Sequence, residues 1–185
     1  MTGIATSALV GFFVASGIGT STVSSWTDTP QTPNPTYSVS MTAYNALPEQ
    51  TDSNPDITAS GAFSDPDIIA ARSRDLADEL PFGTVISVTA ASSSVNCGLP
   101  LVRDMIGLRV IADSMHPRKR NQIDILFDHT ETVKVGGKRT NPARALGVCK
   151  GVQIEVVGYI DPRHMPKNQL ELKIALGETT LAANK

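Results

Sequence analysis

Charge is the first thing missing from this chain. Its first 27 residues contain no Asp, Glu, Lys or Arg, and over all 185 the 16 Lys and Arg are outnumbered by 18 Asp and Glu. Binding to nucleic-acid phosphates needs Lys and Arg clustered well in excess of acid, so no nucleic-acid partner is expected. The one dense basic run, Arg118-Lys119-Arg120, falls in a segment that reads as a loop, where such a run is ordinarily a solvated turn. No CxxC or HxxxH pair occurs, which removes the local signatures of a zinc site, and His116, His129 and His164 are scattered as surface residues would be. Neither a glycine-rich phosphate loop nor GxSxG is present. No metal or cofactor is expected, and no internal repeat is evident.

Cysteine is scarce as well: Cys97 and Cys149 are the only two. In an exported protein they would form a single bridge tying a long central loop to the strand region near the C-terminus. Two separate buried thiols are the other reading.

What is present divides the chain. The uncharged start holds "GIATSALVGFFVASGIG", residues 3–19, near the length of a signal-peptide core or a short membrane span. It lacks the usual preceding Lys or Arg, and a buried helix is the competing reading. "SSWTDTPQTPNPTYS" then reads as a Pro/Thr/Ser linker rather than a second helix. Residues 1–27 are therefore expected to be a signal peptide or membrane anchor, and 28–37 a linker. The product would be exported, to the periplasm or the cell envelope. Residues 38–160 would be the folded domain and 161–185 a C-terminal extension that adds a strand or helix or dangles.

The domain reads as mainly β. "YSVSMTAYNALP" alternates Val39, Met41 and Ala43 against Ser38, Ser40 and Thr42, the mark of a half-buried strand. "IIAA", "VISVTA", "GLRVIAD", "QIDILFD" and "GVQIEVVGYI" supply further strands. "RDLADEL" is a helical turn or two, and "ASSSVNCGLPLVRDM" reads as a small-residue loop. "TVKVGGKRT" carries the Gly-Gly of a two-residue hairpin turn. "NPARALG" is a brief helix opened by Asn141 and Pro142 and stopped by Gly147. About six short strands at close spacing, with one or two short helices, argue a small barrel or sandwich.

Chemistry is left to aspartates at strand ends. In "LRVIADSMHPRKRNQIDILFD" Asp113 closes one strand and Asp124 sits inside the next, among Ile123, Ile125 and Leu126. A carboxylate there is costly to bury unless something pairs with it or uses it. Alternation turns Ile123 and Ile125 to the face opposite Asp124, and Asp113 could sit beside it. A hydrogen-bond network without catalysis is the alternative for this pair. Asp75, in "SRDLADEL", reads equally well as a helix N-cap.

The segments "SMTAYNALPEQTDSNPDITASG", "IIAARSRDLADELPFGTVISV", "VIADSMHPRKRNQIDILFD" and "PARALGVCKGVQIEVV" follow one another in an order that resembles the three-aspartate (3D) domain. That domain is related to the catalytic barrel of MltA-type lytic transglycosylases and, more distantly, to RlpA-like proteins. The resemblance spans Ser38 to Val157, with Asp75, Asp113 and Asp124 at the positions of the three aspartates. It implies a six-stranded double-psi β-barrel that cleaves the β-1,4 bond between N-acetylmuramic acid and N-acetylglucosamine in peptidoglycan, leaving a 1,6-anhydro end. It also implies Asp124 as general acid/base, Asp113 as its close partner and Asp75 as a structural or orienting member. The first long strand would lie near the groove, making Thr42, Tyr44 and Thr58 glycan contacts, with Tyr44 equally readable as a core tyrosine. After the second aspartate the family has Asp-Thr-Gly-Gly-Ala-Ile; here "DSMHPRKRNQ" has no glycine, so Arg118, Lys119 or Asn121 would hold the sugar in a loop of different shape. A non-catalytic, expansin-like wall-binding module is the competing reading, and a degenerate barrel serving assembly is a third.

Overall fold

The computed structural model describes residues 33–49, 51, 54–91 and 97–183; the expectations for the apolar N-terminal segment and most of the linker lie outside them. The alternating stretch forms β1 (Thr36–Tyr44), two residues inside the expected linker boundary. β2 (Ile69–Arg72) is buried at every position. "RDL" makes a single 3-10 turn, Arg74–Leu76, and β3 (Thr84–Ala91) follows. After the helix α1 (Leu99–Ile106) come β4 (Leu108–Ser114) and β5 (Gln122–Leu126). A hairpin of β6 (Val133–Val135) and β7 (Lys138–Thr140) leads through α2 (Pro142–Leu146) into β8 (Cys149–Tyr159). The last element is the helix α3 (Gln169–Ala183).

Six strands close into a barrel in the order β1-β5-β2-β4-β3-β8, with β6 and β7 apart as a two-stranded ribbon. β1 with β5 and β2 with β4 are parallel pairs; the other four contacts are antiparallel. Closure leaves none of these six strands with a free edge. Their side chains divide between two apolar clusters. Met41, Ala70, Ile111, Ile123, Ile125 and Ile154 belong to one, which α1 covers with Leu99, Val102 and Ile106. Ile69, Ala71, Val85, Val110 and Leu126 belong to the other, covered by Ile68 and by Leu172 of α3.

One expectation needs correction. The stretch taken as a loop between β3 and β4 contains α1, so the helices number three among the described residues. Its apolar residues fall at helical spacing on one face, Pro100 sits in the first turn where its missing N–H costs nothing, and Gly107 ends it at φ 56°. Of the readings open for the C-terminal extension, the helix is the one observed. Gln169 donates its amide to the carbonyls of Asp67 and Leu108 and accepts from the Leu108 N–H, while Leu172 is fully buried. No helix among the described residues is long and apolar enough to cross a membrane.

The local signals held where turn chemistry was explicit. Gly136 and Gly137 adopt φ 55° and 84°, as the tight hairpin requires. Asn141 caps α2 by accepting from the Ala143 N–H at 2.9 Å. Cys97 and Cys149 are joined, with Cα atoms 5.4 Å apart, so the segment before α1 is tied to the first residue of β8. Gly98 next to it packs so closely on α2 that a Cβ would lie 1.8 Å from the Ala145 carbonyl oxygen.

Candidate active site

The barrel register sets four residues in a row across adjacent strands. Thr42 of β1 is opposite Asp124 of β5, Asp124 is opposite Ala71 of β2, and Ala71 is opposite Asp113 of β4. The two aspartates are thus two strand spacings apart, about 10 Å between backbones, with only a methyl group between them. Strict alternation would turn Asp113 away. Ala70 faces Ile111 while Ala71 faces Asp113, so Ala112 is an extra residue in β4, and this bulge re-aims the carboxyl to the face of Ala71 and Asp124.

Asp124 and Asp113 line one cleft of about 530 Å³, within the usual size range of small-molecule sites, and Ala71 lies between them in its wall. The other walls come from Tyr44, from Thr51 and the loop residues Pro55, Ile57, Thr58, Ala59 and Ser64, and from Arg74, Ser114, Met115, His116 and Lys119.

The two carboxyl groups are held differently. Asp113 is held on both oxygens: Oδ1 accepts from the N–H groups of Ala59 at 3.0 Å and Ser114 at 2.8 Å, and Oδ2 accepts from the Tyr44 hydroxyl at 3.0 Å. Through Ala59 it pins the loop that forms one side of the cleft, and the Ser60 N–H adds a bond to the Ala112 carbonyl. Burial first, then the neighbouring Asp113, raises the Tyr44 hydroxyl well above its ordinary range, so it stays a donor. Among the described residues the Asp124 carboxyl accepts one hydrogen bond, from the Thr42 hydroxyl to Oδ1 at 2.6 Å. Desolvation raises its carboxyl to about 6, against the opposing pull of Thr42 and of the Lys119 charge, and Asp113 adds a smaller push upward. A carboxyl that titrates near neutrality beside an open cleft can give up a proton and take one back.

The other expected site residues are distributed. Tyr44 and Thr58 reach the cleft, but the Thr58 hydroxyl donates to the Ala62 carbonyl at 3.1 Å within its own turn. Thr42 acts on Asp124 rather than lining the cleft. Asp75 is not an N-cap; Ser73 holds that position, and Asp75 accepts from the Asn121 N–H at 2.9 Å, outside the cleft lining. Asn121 sits at φ 45° and spends its side chain on the Ser38 carbonyl. Arg118 is not among the residues lining the cleft; its backbone N–H donates to His116 Nδ1 at 3.2 Å. Arg74 and His116 are titratable side chains in the cleft that sequence reasoning did not assign as contacts, and Lys119 is the one of the three expected sugar-holding residues in its turn that lines the cleft. Their one signal was nearness to Asp75 and Asp113 in the chain. Compared with known proteins, the chain matches no protein-family model and no curated protein.

Proposed function

We propose that this protein cleaves cell-wall glycan as a lytic transglycosylase, on a double-psi β-barrel of the three-aspartate kind. The observation that carries the reading is Asp124: a partly buried carboxyl, raised to about 6, beside a cleft of saccharide size. An ordinary glycosidase needs a second free carboxylate as base or nucleophile. Asp113 is a poor one, since both its oxygens already accept bonds from the scaffold. Transglycosylation removes that requirement, because the nucleophile belongs to the substrate.

Asp124 donates its proton to the glycosidic oxygen as the bond to the muramic-acid anomeric carbon breaks. The C6 hydroxyl of the same sugar then attacks that carbon, and its proton returns to Asp124. One bond breaks, one forms inside the sugar, and no water is consumed. Lys119 and Arg74 on the cleft wall suit a polymer that bears carboxylates on its peptide stems. Export to the periplasm or cell envelope, with residues 1–27 as leader or anchor, belongs to the same proposal.

The test is digestion of purified peptidoglycan by the full chain and by Asp124→Asn, with products read by mass. Products one water lighter than hydrolysis would give, from the parent only, are expected. Retained binding to insoluble wall with no product from either protein would sink the enzymatic reading in favour of a wall-binding barrel.

A further inference from the structure

Thr42 makes two hydrogen bonds whose directions constrain each other. Its Oγ1 accepts from Nε2 of Gln122 at 2.7 Å, and its single hydroxyl hydrogen goes to Oδ1 of Asp124 at 2.6 Å. The strand register makes this arrangement a built one. Gln122 and Asp124 are two apart on β5 and share a face, while Ser40 and Thr42 stand opposite them on β1. Gln122 is buried, and its backbone N–H is fixed by the Ser73 hydroxyl at 3.0 Å. A threonine hydroxyl has one hydrogen to give. With an amide N–H already pointed at its oxygen, that hydrogen is turned toward Asp124.

We infer that Gln122 is a positioning residue: it sets the direction of the chain Gln122 to Thr42 to Asp124 and thereby confines the acid proton of Asp124 to Oδ2. A proton on Oδ1 would meet the Thr42 hydrogen head-on, so the protonated acid carries it on the other oxygen. When that proton leaves, Oδ1 keeps a hydrogen bond that strengthens as charge develops on the carboxylate. The chain therefore opposes the effect of burial and keeps one group serviceable both as acid and as base. This inference rests on reading Asp124 as the acid/base of glycan cleavage. It adds a residue outside the cleft lining that tunes that acid without touching substrate.

The experiment is a pH titration of the Asp124 carboxyl by carbon-detected NMR in the full chain, alongside Thr42→Val, Thr42→Ser, Gln122→Leu and Gln122→Met. Thr42→Val is expected to raise the titration midpoint by about one pH unit, the scale of a hydrogen bond to a charged group. Thr42→Ser should restore it. Both Gln122 variants should raise it by a fraction of that shift, and the pH profile of anhydro-product formation should move with the carboxyl. If one Gln122 variant fails to fold, the other carries the test. An unchanged Asp124 midpoint in a folded Gln122 variant overturns the inference. A midpoint that moves as expected while the parent forms no anhydro product keeps the relay and overturns the glycan reaction.

Discussion

The end of β4 and the middle of β5 each present an aspartate to the same cleft, and the two are built to opposite ends. At the end of β4, a bulge delivers Asp113 to three donors, and its carboxyl becomes the peg on which the loop around Ala59 hangs. At the middle of β5, Asp124 is backed by two buried isoleucines and receives one hydroxyl, leaving it half-buried and close to neutral pH in its titration. The difference teaches that residue type says little about role here. The number of donors each carboxyl accepts from is what separates the two.

The largest effect expected is on turnover. Asp124→Asn should cut anhydro-product formation by about 10²–10⁴-fold, the usual contribution of a general acid/base, whereas Asp113→Asn, which keeps the acceptor toward Ala59 and Ser114, should cost much less. Equal losses from both would break the comparison. Stability should show the reverse order. Asp113→Ala leaves the Ala59 N–H and Tyr44 hydroxyl without their acceptor and should cost about 2–4 kcal/mol in urea unfolding.

Asp124→Asn should instead stabilise the protein at neutral pH. The carboxyl is raised from 3.8 to about 6 on folding, so the native state binds that proton more tightly than the unfolded chain. Its favourable contribution is complete below pH 4 and is lost as pH rises through 6. At pH 7 the buried charge costs on the order of 3 kcal/mol, which the amide removes. The variant's gain in melting temperature should therefore be larger at pH 7 than at pH 4; a gain independent of pH would contradict this. Tyr44→Phe removes one donor from Asp113 and should cost about 1 kcal/mol. The smallest effect is Lys119→Met, which should raise the Asp124 midpoint by about a few tenths of a unit, because the ammonium is exposed and screened.

Much of the barrel was legible in the chain because alternation and turn chemistry are local. Val39 and Met41 marked β1, Ile123 and Ile125 marked the face of β5 away from Asp124, and Gly136-Gly137 marked the hairpin. α1 was hidden behind a run of small residues and Pro100, although Leu99, Val102 and Ile106 carry its stripe. The candidate site was less readable. Asp113 and Asp124 stand out as carboxyls beside apolar runs, but nothing local announces the extra residue at Ala112, or that Ala71 is the spacer between them. Arg118 and Lys119 are neighbours in one basic run, and nothing local tells that Lys119 and not Arg118 lines the cleft.

Thr42 and Asp124 are 82 residues apart in the chain and meet only where β1 runs parallel to β5. Parallel pairing over such a distance is slow to assemble, since a long loop must close before any contact rewards it. A chain whose barrel is still open carries Asp124 as an ordinary solvated carboxyl, with neither the desolvation nor the hydroxyl that make it an acid near neutrality. The environment that tunes Asp124 therefore belongs to the closed barrel alone, since its desolvation and its Thr42 partner exist only once β1 and β5 are paired.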